Sequence, residues 1–90
     1  AGPVEERVAR VREALALFAA DPADRRLLAP HLSEALGRLL DDRQYAAARE
    51  VCAALQSGAE DPLERAKLAR FTSRLDFEES AEGAAAFAQR

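Results

Sequence analysis

The sequence predicts an all-α fold of four to five antiparallel helices, arranged as two stacked helical hairpins or as a small helical bundle. Three observations lead there. Ala and Leu dominate the 90 residues, Ile and Trp are absent, Thr occurs once and Val four times, so helix formers abound and strand formers are scarce. Apolar residues recur at spacings of three and four, the period of one helix face. Residues 11–33 also recur at 51–73 with a constant offset of 40. Val11, Ala14, Leu15, Asp21, Pro22, Arg25 and Leu28 match Val51, Ala54, Leu55, Asp61, Pro62, Arg65 and Leu68, and the phrase Asp-Pro-x-acid-Arg appears twice. A period of this size suits two copies of a helix–turn–helix unit, stacked so that each buries what the other leaves open. The bland alternative is that abundant Ala and Leu, plus one capping device used twice, produce the matches.

The first helix is expected from about Pro3 to Ala20, with proline in the first turn, where its missing N–H costs nothing. Val4, Val8, Val11, Leu15 and Phe18 lie 4, 3, 4 and 3 apart, one apolar seam. The seam is short for an intermolecular coiled coil, which needs about 3–4 heptads, so internal packing is the expected use. Asp21-Pro22 ends this helix and starts the second, with Asp21 as cap and Asp24 at the positive helix end. The second helix faces the core through Leu28, Leu32, Ala35, Leu36, Leu39 and Leu40; Pro30 is expected to kink it near Ala29 or to split it.

Asp41 or Asp42 is expected to cap the third helix, Asp41 forming a capping box with Gln44. Tyr45, Ala48, Val51, Cys52 and Leu55 make its apolar face, and Gly58 is placed to leave the helix in a left-handed conformation. Asp61-Pro62-Leu63-Glu64 starts the fourth helix, whose face is Leu63, Leu68, Phe71 and Leu75. From Asp76 onward, a fifth helix capped by Ser80 and carrying Phe77, Ala81, Ala84 and Phe87 competes with a frayed terminus. The organisation read from this is one domain over 1–90, with a hairpin at about 4–40, a second at about 44–75 and a helix or tail at 77–90.

The net charge of −3 weighs against nucleic acid as a partner, because phosphate binding draws on a basic face. No apolar run approaches the roughly 20 residues that span a bilayer, and no leader-like segment is present, so no membrane role is expected. The single Cys52 excludes an internal disulfide and suits a reducing, cytoplasmic setting. The absence of Met suggests a domain cut from a larger protein.

The segment Leu36-Gly37 … Tyr45-Ala46-Ala47-Ala48-Arg49-Glu50-Val51-Cys52-Ala53-Ala54-Leu55 … Pro62 resembles a tetratricopeptide repeat. In that family a Leu-Gly pair lies on the first helix, Tyr opens the second with Ala three residues on, and Pro follows the unit. Tyr45, Ala48 and Pro62 fit. The Gly37–Tyr45 loop is about one residue short, Cys52 stands at a position usually bulky, Pro62 arrives late, and the offset of 40 exceeds the family's period of about 34. The resemblance spans residues 32–62 and implies a scaffold whose helix faces bind a peptide or partner helix. The same helix pair is similar to the helical domain of the steroid-receptor-RNA-activator family, with a poorer match in the last third.

Nothing in the sequence asks for chemistry. His31 is the only histidine and has no companion ligands for a metal or a triad. Cys52 on an apolar face reads as a small core residue. The acids at 41–42, 60–61 and 78–79 read as caps and helix-dipole partners, and the scattered glycines form no phosphate loop. No catalytic residue, cofactor or metal is therefore expected. The expected function is a non-catalytic module binding a protein or peptide, with homodimerisation as the alternative. Tyr45, Arg49, Phe71, Phe77 and Phe87 are the candidate partner-binding residues, the aromatics as apolar anchors and the arginine as a selector of charge.

Overall fold

Asp21 terminates one helix and begins the next. Its backbone N–H donates to the carbonyl of Leu17 at 3.2 Å, and its carboxylate accepts from the N–H of Ala23 at 2.9 Å. The computed structural model describes residues 2–88, apart from the side chains of Ala86 and Phe87, and within them the chain forms four helices: α1 (Pro3–Ala20), α2 (Pro22–Asp41), α3 (Tyr45–Gly58) and α4 (Pro62–Ala88). Successive helices run antiparallel through short corners. The all-α class predicted from composition and periodicity is the class observed.

The corner at Asp61 repeats the one at Asp21. Asp61 accepts from the N–H of Leu63 at 3.0 Å, and Pro62 opens α4. In both corners an arginine one turn into the new helix reaches back to the end of the old one: Arg25 Nε donates to the Phe18 carbonyl at 3.0 Å, and Arg65 Nε to the Ala59 carbonyl at 2.7 Å. The Asp-Pro-x-acid-Arg phrase is thus a corner device. Asp satisfies an orphan N–H, Pro fits the first turn, and Arg satisfies an orphan C=O.

The core follows the predicted stripes. Val11 and Phe18 of α1, Leu32, Leu36, Leu39 and Leu40 of α2, and Leu75 of α4 are buried around α3, which contributes Ala47, Ala48, Val51, Cys52 and Leu55. Two consecutive alanines on α3 let neighbouring backbones come close. Helix α1 packs on α2 and α3, α2 on α3, and α4 extensively on α3, a flat stack of 49 × 34 × 16 Å. Of the α1 seam, Val8, Val11, Leu15 and Phe18 pack into the core cluster, the internal use expected of it. Across the α1–α3 face Arg12 pairs with Glu50 at 3.1 Å, and Arg7 pairs with Asp42 beyond the end of α2.

Several local expectations change. Helix α2 runs through Pro30 as one element, so of the two alternatives, a kink near Ala29 or a split, the split is removed. Tertiary packing of Leu32, Leu36, Leu39 and Leu40 outweighs the lost i→i−4 bond. Asp41 is the last residue of α2 and caps nothing; α3 begins after Gln44, without a side-chain cap. The left-handed residue is Arg43 (φ 59°), not Gly58, which is the last residue of α3 with no positive φ. Arg43 sits in a Schellman closure: its N–H donates to the Leu40 carbonyl at 3.0 Å, and the Gln44 N–H to the Leu39 carbonyl at 2.8 Å. Finally, α4 continues without a break past Asp76 and Ser80 to Ala88, so 77–88 is neither a separate fifth helix nor a frayed tail.

Candidate functional site

Two of the five predicted partner-binding residues lie together in a solvent-exposed polar seam between α3 and α4. Tyr45 and Arg49 stand one turn apart on α3, facing a row of acids on α4. Arg49 Nη2 lies 2.5 Å from Asp76 and 2.8 Å from Glu79, and the Tyr45 hydroxyl donates to Glu82 at 2.6 Å. Spacings of three residues, 76 to 79 to 82, put the three carboxylates on one face of α4. The hydrogen bond to Glu82, with lesser burial and the negative charges of Glu82 and Glu78, pushes the Tyr45 phenol above its ordinary range, and the bonds to Glu79 and Asp76 push the Arg49 guanidinium up. Both side chains hold α4 to α3.

The three phenylalanines part company. Phe71 is half-buried and packs on the core cluster. Phe77 is 74% exposed, with Leu63 on the same helix 62% exposed. The Phe87 side chain lies outside the described residues. His31 is exposed. Cys52 is buried, and burial pushes its thiol up, against smaller lowering effects from Thr72 and Arg49. That suits the packing role expected of it. No group of His, Cys, Asp or Glu among the described residues could hold a metal ion, and no helix is long and apolar enough to cross a membrane.

The concave feature best suited to receive a partner is a groove of about 710 Å³ between the first halves of α2 and α4. The two helices run parallel and start at the same end of the stack, beside the last residues of α1 and α3. Phe18, Ala29, Leu55 and Leu68 give the groove an apolar floor. Its walls differ in charge. Arg26 stands on the α2 side, with no ion pair among the described residues, while Glu60 and Glu64 stand on the α4 side. Arg25 also lines the space, tied to the Phe18 carbonyl, with its guanidinium carbon 5.9 Å from the centroid of the Phe18 ring. No known protein family, curated protein or solved structure matches the chain.

None of the groove residues is among the candidate partner-binding residues read from the sequence. The available signal was the duplicated Asp-Pro corner. An alternation of antiparallel helices makes the second and fourth parallel, so two Asp-Pro starts must share one end of the molecule. The charges just inside those starts, Arg26 and Glu64, were legible as residues but not as the two walls of one space.

Proposed function

We propose that this chain is a non-catalytic, tetratricopeptide-like interaction module whose α2–α4 groove receives a peptide or a partner helix. The observation that carries the reading is the groove itself, an apolar floor between walls of opposite charge. Apolar anchors on the floor supply affinity, and the walls fix orientation: an acid on the partner is drawn to Arg26, a base to Glu60 and Glu64. The single buried thiol leads us to assign the protein to a reducing cytoplasm. The test is selection of binders from a displayed peptide library with the 90-residue chain, followed by amide chemical-shift mapping. Binders that shift Arg26, Ser33, Leu55 and Glu64 support the reading. A failure to select binders, or shifts confined to other surfaces, overturns it.

A second reading, homodimerisation, draws on α4. Its outward side leaves Leu63, Ala66, Ser73, Phe77 and Ala84 exposed at helical spacing, a face that a second copy would cover. Light scattering across a concentration range decides: a dimer weakened by Phe77→Ser supports this reading, and a monomer at all concentrations removes it.

A further inference from the structure

Helix α4 packs on α3 at the edge of the stack, and its outward side carries a second seam. Positions 63, 66, 70, 73, 77, 80 and 84 are all exposed and lie alternately three and four residues apart, the spacing of the two core columns of a coiled coil. The seam spans three heptads, about 33 Å, the length at which such pairing becomes a realistic use. Its two columns differ in size. The first holds Leu63, Arg70 and Phe77, and the second holds Ala66, Ser73 and Ser80. Lys67 and Arg74, which flank the seam, pair within α4 with Glu64 and Glu78, while Arg70 has no ion pair among the described residues. None of these seam residues lines the α2–α4 groove.

We infer that two copies of this chain pair through α4 in antiparallel register, with Phe77 of each over Ser73 of the other and Arg70 over Ser80. The inference rests on the dimer reading above and adds its geometry. In an antiparallel pair the first column of one helix meets the second column of the other, so every large side chain faces a small one. A parallel pair sets Phe77 on Phe77 and leaves Ser73 facing Ser73, one layer overfilled and the next a void. It also sets Arg70 against Arg70, like charges at the centre of the seam. Antiparallel pairing instead carries Arg70 to the segment 76–82 of the other copy, which holds four acids and no base. Asp76 and Glu79 there share the single guanidinium of Arg49, so one negative charge is left over for the incoming arginine. A two-fold axis makes each of these contacts twice.

The register places Ala66 of each copy opposite the partner's Ala84, which gives a direct test. Ala66→Cys and Ala84→Cys variants of the 90-residue chain, distinguished by a tag on one of them, are mixed and oxidised gently with glutathione. Both positions are exposed, so circular dichroism should show the fold intact, and the buried Cys52 stays out of the reaction. The mixed 66–84 disulfide is expected to exceed either 66–66 or 84–84 by at least about fivefold, since a disulfide needs Cα atoms within about 7 Å. Light scattering should show the parent chain as a dimer. Phe77→Ser and Arg70→Glu should each raise its dissociation constant by about tenfold, and Arg26→Glu, in the α2–α4 groove, should leave it unchanged. A monomer at all concentrations overturns this inference together with the dimer reading. A dimer that cross-links 66–66 as readily as 66–84 leaves the dimer reading standing and overturns the antiparallel register. So does a dimer weakened by Arg26→Glu but not by Arg70→Glu.

Discussion

The ring of Phe18 lies against the backbone of Gly58: a Cβ placed on that glycine would stand 3.1 Å from the ring's Cζ. The two residues are 40 apart, the offset at which residues 11–33 recur. The aromatic fills the space that the missing side chain of Gly58 leaves. Phe18 is 95% removed from solvent and also floors the α2–α4 groove. Phe18→Ala is therefore expected to cost about 3–5 kcal/mol. Gly58→Leu is expected to cost about 1–3 kcal/mol, because the ring must move. In urea unfolding, Gly58→Leu should cost less in the Phe18→Ala background than alone. Strictly additive costs would show that the two positions do not share space.

Arg43 holds a left-handed backbone that glycine adopts freely, at a cost of about 1 kcal/mol for an L side chain. Its one ion pair among the described residues, with Glu82 at 3.9 Å, is exposed and contributes little. Arg43→Gly should then stabilise the protein by about 0.5–1 kcal/mol, less whatever glycine adds to the entropy of the unfolded chain. The denaturation midpoint should rise with no change in slope.

The fold was readable because its stripes are long and its corners use side chains with one obvious purpose. Val11, Phe18, Leu36, Val51, Leu55 and Leu75 all fell on the side their spacing assigned. The local differences share a cause: a single side chain does not show which of two competing helix ends its neighbours allow. Gly58 has the right side chain for a left-handed exit, yet Phe18 occupies the space beside it, and α3 ends instead through an extended Ala59. Asp41 and Asp42 have the right side chains for capping α3, but the Schellman closure uses the backbone of residues 39–44 and leaves Asp41 as the last residue of α2 and Asp42 as its C-cap. The candidate site was less legible for a different reason. Tyr45 and Arg49 look like docking residues in one dimension, and only the length of α4 brings Asp76, Glu79 and Glu82 alongside to occupy them.

The two Asp-Pro corners should respond alike to mutation. Asp21→Ala and Asp61→Ala each remove one acceptor for a first-turn N–H, at about 1 kcal/mol apiece. The sites share no partner, so the double variant should lose close to the sum. A double variant much less destabilised than the sum would mean that one corner is already open in the single variant.

Cys52 should be inert in the folded protein. It is 2% exposed, and burial holds its thiol in the neutral form, which does not attack disulfides. Reaction with a chromogenic disulfide at pH 8 should be at least about 100-fold slower than in denaturant, since access requires local opening worth a few kcal/mol. Rapid native labelling would show that α3 and α4 separate readily.

The Tyr45–Glu82 contact gives the α3–α4 seam a pH dependence of definite sign. The folded phenol titrates above its ordinary value of 10.0, chiefly because its O–H donates to Glu82. A group whose folded pKa is raised adds stability that is fully present below its unfolded value and is lost as pH rises through the folded one. The contribution should therefore hold through neutral pH and disappear above about pH 10, where a phenolate would face the Glu82 and Glu78 carboxylates. Tyr45→Phe lacks both the donor and the charge. Its melting temperature should lie below that of the parent at pH 7, and the gap should close or reverse as the pH rises above about 10. A gap that stays constant across that range would mean that the hydroxyl does not bond Glu82 in solution, and that Arg49 with Asp76 and Glu79 holds α4 without it.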